Sequence, residues 1–111
     1  METPGEVSEL VEFLKKGGFE VSVNDNLITV KGRPGLLHRK DDTLYIEVEY
    51  GDLHLFYIED GDKTSITLLK FGRVLKQTEG VKITEYDVLK VMEFDRKFEV
   101  FVDKDTFGIR Y

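Results

Sequence analysis

His54 carries the side chain best suited to chemistry. If the chain turns back through Gly51-Asp52, His54 lies opposite Glu49, with Glu47 two positions further along the neighbouring strand. A carboxylate beside an imidazole can orient a general base. Tyr45, Ser65 and Thr67 fall on the same side, but no nucleophile stands at a spacing that would complete a catalytic set. The pair therefore reads first as a cross-strand His–Glu contact, and a hydrolase-like centre around His54 is the remote alternative. His38 with Asp41 and Asp42 offers metal-ligating types. Their spacing follows no ligand template, and Arg39 and Lys40 oppose a cation, so no metal site and no cofactor are expected.

Two further groups could bind rather than react. Lys31, Arg33, His38, Arg39 and Lys40 make one distinctly basic stretch, punctuated by Gly32, Pro34 and Gly35. Glycines let a backbone approach an anion, and Arg grips phosphate at two points. The GRPG pattern lacks the Lys-Ser/Thr that follows in a P-loop. The second group is acidic and aromatic: Tyr45, Glu47, His54, Phe56 and Ile58 would share one sheet face, apolar anchors with a charged rim. Between the two groups the charge changes sign, because Asp41 to Asp62 holds eight acids and no Lys or Arg.

The elements that must position these residues are mostly hairpins. With Gly51-Asp52 as a two-residue loop, Tyr50 faces Leu53, Val48 faces Leu55 and Ile46 faces Tyr57, all apolar pairs. Asp60-Gly61 as the next loop sets Leu55 against Ile66 and Leu53 against Leu68. A slip of one residue would turn Ser65 and Thr67 inward, so the even register is preferred. Phe19 to Lys31 forms a hairpin about Asp25-Asn26, with Val23 facing Ile28, Val21 facing Val30 and Glu20 facing Lys31. Phe98 to Tyr111 forms another about Lys104-Asp105, with Val102 facing Phe107 and Glu99 facing Arg110. Gly32 to Asp42 reads as the main irregular segment.

Helical periodicity occurs near the start of the chain. Thr3 as N-cap, Pro4 at the first position and Glu6 completing a capping box precede a stripe of Val7, Leu10, Val11 and Leu14. Lys15 and Lys16 suit the negative helix end, and Gly17-Gly18 stop it. Phe71 to Gly80 is ambiguous, with Gly72 marking a turn or bulge. For Val81 to Lys97, Thr84 as N-cap and Val88, Leu89 and Met92 on one side favour a short helix. Alternation of Met92, Phe94, Phe98 and Val100 with charged residues is the strand alternative.

The chain of 111 residues is expected to form a single domain, residues 1–111, able to bury a core. The elements predict an α+β fold: a mainly antiparallel, strongly curved sheet of about six to seven strands, an N-terminal helix and one further short helix. No cysteine excludes disulfides and thiolate metal sites, and no apolar run approaches membrane-spanning length. With an acidic METPGEVSE start, a cytoplasmic location without membrane association is expected. Many Glu, Asp and Lys with few Asn and Gln give a thermophile-like composition. The net charge of −6 opposes generic binding to a nucleic-acid backbone. The expected function is a small non-catalytic protein-interaction module, with self-association as a homodimer through a sheet edge or the face of Tyr45, Phe56 and Ile58 as one form of it. Binding of nucleic acid or a phosphate ligand by Lys31–Lys40 is the alternative.

Overall fold

The structure, a computed structural model, describes residues 5–111, the side chain of Leu36 excepted. The class is α+β. One helix, α1 (Gly5–Lys16), is followed by nine strands: β1 (Val21–Asn24), β2 (Leu27–Lys31), β3 (Arg33–Lys40), β4 (Thr43–Tyr50), β5 (Leu53–Asp60), β6 (Lys63–Thr78), β7 (Val81–Phe94), β8 (Glu99–Val102) and β9 (Thr106–Arg110). They form two antiparallel sheets, in the orders β1-β2-β9-β8 and β3-β4-β5-β6-β7, rather than one curved sheet of six to seven strands. Neither sheet closes or curls. The expectation of one sheet failed because β2 and β9 pair across almost the whole chain, Ile28 with Ile109 and Val30 with Phe107. No local pattern announces such a pairing.

The helix ends as its glycines dictate. Gly18 takes φ 106°, its N–H bonds to Lys15 O, and Phe19 N–H bonds to Leu14 O, the Schellman arrangement. Gly17 and Gly18 lie so close to Leu68 and Leu53 that a Cβ would stand 2.9 and 2.8 Å from their side chains. The helix end therefore rests on β5 and β6. Val7, Leu10, Phe13 and Leu14 are buried, while Val11 is only partly so; the stripe is rotated towards Phe13, whose ring lies under the Lys90 ammonium at 5.2 Å. Thr3 and Pro4 lie outside the described residues.

Tight turns set the registers. Five two-residue loops each begin with a residue of positive φ: Asp25, Asp41, Gly51, Gly61 and Glu79. Such turns match the strand twist. The β1–β2, β4–β5 and β8–β9 registers agree with the expected pairs. The β5–β6 loop is Gly61-Asp62, not Asp60-Gly61, so Leu55 pairs with Leu68 and Tyr57 with Ile66. A shift of two residues keeps every side chain on its face, so apolar alternation could not separate the two registers. The turn decides, because Gly61 accepts φ 62° at the first loop position without steric cost.

Two other expectations are corrected. Gly32 to Asp42 is not irregular: Arg33–Lys40 is an edge strand paired with β4, and a bulge between Pro34 and Leu36 absorbs the proline. Val81–Phe94 is a strand rather than a helix, and α1 is the only helix among the described residues. Its ladder with β6 runs from Thr64–Phe94 to Thr78–Val81, with register shifts at Leu68/Leu69, Phe71/Arg73 and Val74/Lys76. Beyond Lys70, the last residue of β6 that pairs with β5, the β6–β7 ribbon projects as an arm. The long axis of the molecule is 53 Å.

The core lies between the inner face of the five-stranded sheet and a layer made by α1 and the four-stranded sheet. Ile46, Val48, Leu55, Tyr57, Ile66 and Leu68 meet Leu10, Leu14, Ile28, Val30, Phe107 and Ile109 there, all fully buried. Tyr57 and Phe107 join the two sheets edge-to-face at 5.6 Å. At the end of the core, Tyr57 donates to Glu59 Oε2 at 2.6 Å, and Thr64 donates to Arg96 O at 2.6 Å. Burial and the adjacent Glu59 carboxylate push the Tyr57 phenol well above its ordinary range.

Candidate functional site

The outer face of the five-stranded sheet gathers most of the residues singled out above. Pairing sets Tyr45 opposite Ile58, Glu47 opposite Phe56 and Glu49 opposite His54, with Phe56 in turn opposite Thr67 and His54 opposite Leu69. On β4, β5 and the first half of β6, residues of the inner face are buried, and their neighbours Tyr45, Glu47, Phe56, Ile58, Thr67 and Leu69 are only partly covered. No element of the described chain lies over them. Hydrophobic area therefore continues from Tyr45 and Phe56 to Val91 and Val88 on β7, which are 47% and 61% exposed.

Aromatic contacts order this face. Tyr45 and Phe56 lie 5.7 Å apart, tilted. His54 meets the Tyr86 ring edge-to-face at 5.0 Å, and Tyr86 meets Phe71 at 6.0 Å. The Tyr45 phenol is raised above its ordinary range, first by partial burial and then by the Glu47 carboxylate. His54 Nδ1 lies 3.3 Å from Glu47 Oε1, so its carboxylate partner is the diagonal Glu47 rather than the directly opposed Glu49. Leu69 pairs with His54 across the strands, and among the described residues no Ser or Thr hydroxyl is hydrogen-bonded to the His54 ring. Thr67 pairs with Phe56 and Ser65 with Ile58, one and two positions removed along the face. The arrangement offers shape, aromatic area and negative charge.

The basic set is divided. Arg33, His38 and Lys40 stand at the β3 edge of the outer face, opposite Glu49, Tyr45 and Thr43, and Arg39 pairs with Leu44 on the inner side. Lys31 belongs to the other sheet and pairs with Glu20 at 3.6 Å. Asp41 and Asp42 form the β3–β4 turn and His38 lies on β3 before it, and no group of three or more His, Asp or Glu among the described residues could hold a metal ion.

Sequence reasoning missed the contribution of β7 and the arm. Phe71, Tyr86, Val88 and Val91 extend the face, and Val74, Leu75, Val81 and Ile83 lie exposed further out. The strand alternative for Val81 to Lys97 held the signal that would have found them. No helix among the described residues is long and apolar enough to cross a membrane. No protein-family model, curated protein or solved structure gives a significant match to the chain.

Proposed function

We propose that this protein is a small non-catalytic protein-interaction module, acting through the uncovered outer face and free edge of its five-stranded sheet. The observation that carries the reading is the one-sided burial of that sheet. Val48, Leu55, Ile66 and Leu68 are fully buried on one side, while Tyr45, Phe56, Ile58, Val88 and Val91 on the other retain accessible apolar area. Contiguous exposed apolar area of this kind, rimmed by Glu47, Glu49 and Lys40, is characteristic of association sites. The alternative, a phosphate or nucleic-acid site on Lys31–Lys40, has less support because its cations are spread over two sheets and two faces.

The test is association measured by light scattering over a concentration series, with Phe56→Glu on the face and Val88→Glu at the β7 edge. At least one variant is expected to lose association while keeping the native melting profile. Association unchanged in both, with both folded, overturns the reading.

A further inference from the structure

The four-stranded sheet has an outer face of its own, opposite the side from which Ile28, Val30, Phe107 and Ile109 enter the core. At its centre is Gly108 on β9, with Thr29 beside it on β2 and Phe101 on β8. The fold does not require a glycine there. Gly108 has no positive φ, and the ladders of β9 with β2 and β8 run without a register shift. An added Cβ would lie 3.4 Å from Leu27 Cδ1 and 3.6 Å from Phe101 Cβ, ordinary van der Waals contact. A glycine inside a strand costs stability, and where there is neither bulge nor bend it marks a place where something else approaches the backbone.

The missing side chain leaves a hollow of about 250 Å³, floored by Gly108 and lined by Thr29, Phe101, Asp103, Thr106 and Arg110. A second hollow of about 390 Å³ shares Thr29 and Thr106 with it and adds Glu20, Ser22, Lys31 and Asp105. Ser22, Thr29, Gly108 and Phe101 form one row across the four strands, so the two hollows lie side by side. Together they make a trough that crosses the sheet and ends on the Phe101 ring, which is 41% exposed.

The chemistry along the trough selects a neutral polar ligand. Each hollow holds both signs of charge, Arg110 with Asp103 in the first and Lys31 with Glu20 and Asp105 in the second. An anion or a cation therefore meets charge of its own sign in either. The donors are nevertheless open. Arg110 Nη1 lies 3.6 Å from Glu99 Oε2, and Lys31 Nζ lies 3.6 Å from Glu20 Oε2, close enough to offset the charge but too far for a hydrogen bond. The Arg110 guanidinium is held over the Phe101 ring at 4.8 Å. A ligand that suits this set carries groups that both donate and accept, as hydroxyls do, on a body with apolar C–H faces. Sugar rings have that chemistry.

We propose that the outer face of the four-stranded sheet is a carbohydrate site. A neutral oligosaccharide lies along the trough, one ring over Gly108 against Phe101 and Arg110, the next beside Ser22 and Lys31. Thr29 and Thr106, which line both hollows, offer their hydroxyls at the junction of the two rings. The site lies on the other sheet from the association face and does not depend on that reading.

The test is chemical-shift mapping by NMR, with maltose, cellobiose, lactose and diacetylchitobiose titrated into the millimolar range and glutamate and spermidine as charged probes. At least one disaccharide is expected to give saturable shifts at Thr29, Phe101, Thr106 and Gly108, and neither charged probe is. Gly108→Leu, which fills the hollow, should raise the dissociation constant roughly tenfold. Thr29→Val, which keeps the shape and removes the hydroxyl, should raise it roughly threefold. Gly108→Ala should melt no lower than the wild type, because its Cβ has room and alanine suits a strand better than glycine. No saturable shift with any disaccharide, a stronger response to glutamate or spermidine, or folded variants that bind as the wild type does overturns the proposal. A Gly108→Ala protein that melts well below the wild type also overturns it, since the glycine then belongs to the fold. Association through the five-stranded sheet is read separately by light scattering, and none of these outcomes alters it.

Discussion

Replacing Tyr57 with Phe removes one buried oxygen from the end of the core and should be costly. The Tyr57 hydroxyl donates to Glu59 Oε2 at 2.6 Å, with Tyr57 fully buried and Glu59 only 7% exposed. Phe keeps the ring and its edge-to-face packing on Phe107, so no cavity opens. What is lost is a hydrogen bond to a carboxylate, and what remains is a carboxylate buried without its donor. Bonds of this type contribute about 1.5–3 kcal/mol, and stability should fall by roughly 2 kcal/mol at neutral pH. For a domain of this size the melting temperature should drop by roughly 10 °C. Urea denaturation monitored by circular dichroism measures the change. A companion variant, Tyr57→Phe/Glu59→Leu, should recover part of it, because the carboxylate left without its donor is then removed as well.

The same contact has a pH signature. The folded chain holds the Tyr57 proton more tightly than the unfolded chain, whose phenols titrate near about 10. The resulting stabilisation is complete below that pH and is lost as the pH rises towards the higher folded value. The wild type should therefore lose stability relative to Tyr57→Phe as the pH is raised above about 10. A Tyr57→Phe protein within about 0.5 kcal/mol of wild type at neutral pH would refute the reasoning, as would a double variant no more stable than the single.

Two other perturbations report on the framework. Leu10→Asp places a charge at a fully buried position on α1 facing the sheet, and should leave the chain unfolded or within reach of unfolding at room temperature, checked by thermal melting. Gly72→Ala puts a Cβ 2.6 Å from the backbone oxygen of Glu85, so the ribbon must part there; amide exchange over Arg73 to Thr84 should speed up while the core melts nearly as before.

What could be read from the sequence was what neighbouring residues decide together. The hairpin about Gly51-Asp52 combines a glycine that takes positive φ with apolar alternation on both sides, so loop and register reinforce each other. The stop at Gly17-Gly18 and the outward placing of Tyr45, Glu47, Phe56 and Ile58 follow from equally local rules. The tertiary structure decided the rest. The 81–94 segment carries capping residues as well as alternation, and only a long ladder with β6 makes it a strand. The 33–40 segment carries the marks of a loop, yet hydrogen bonding to β4 holds it in the sheet at the expense of one bulge.

The outer face follows the same division. Its composition is written in β4 and β5, but whether anything covers it depends on where the second half of the chain goes. β8 and β9 join β2 on the far side of the core, and β7 continues the sheet sideways, so the face stays open. Side-chain alternation along a strand is set by adjacent peptide units, whereas strand partners are chosen by burial summed over residues far apart in the chain. The first is present in any short stretch of sequence, and the second exists only once the chain has folded.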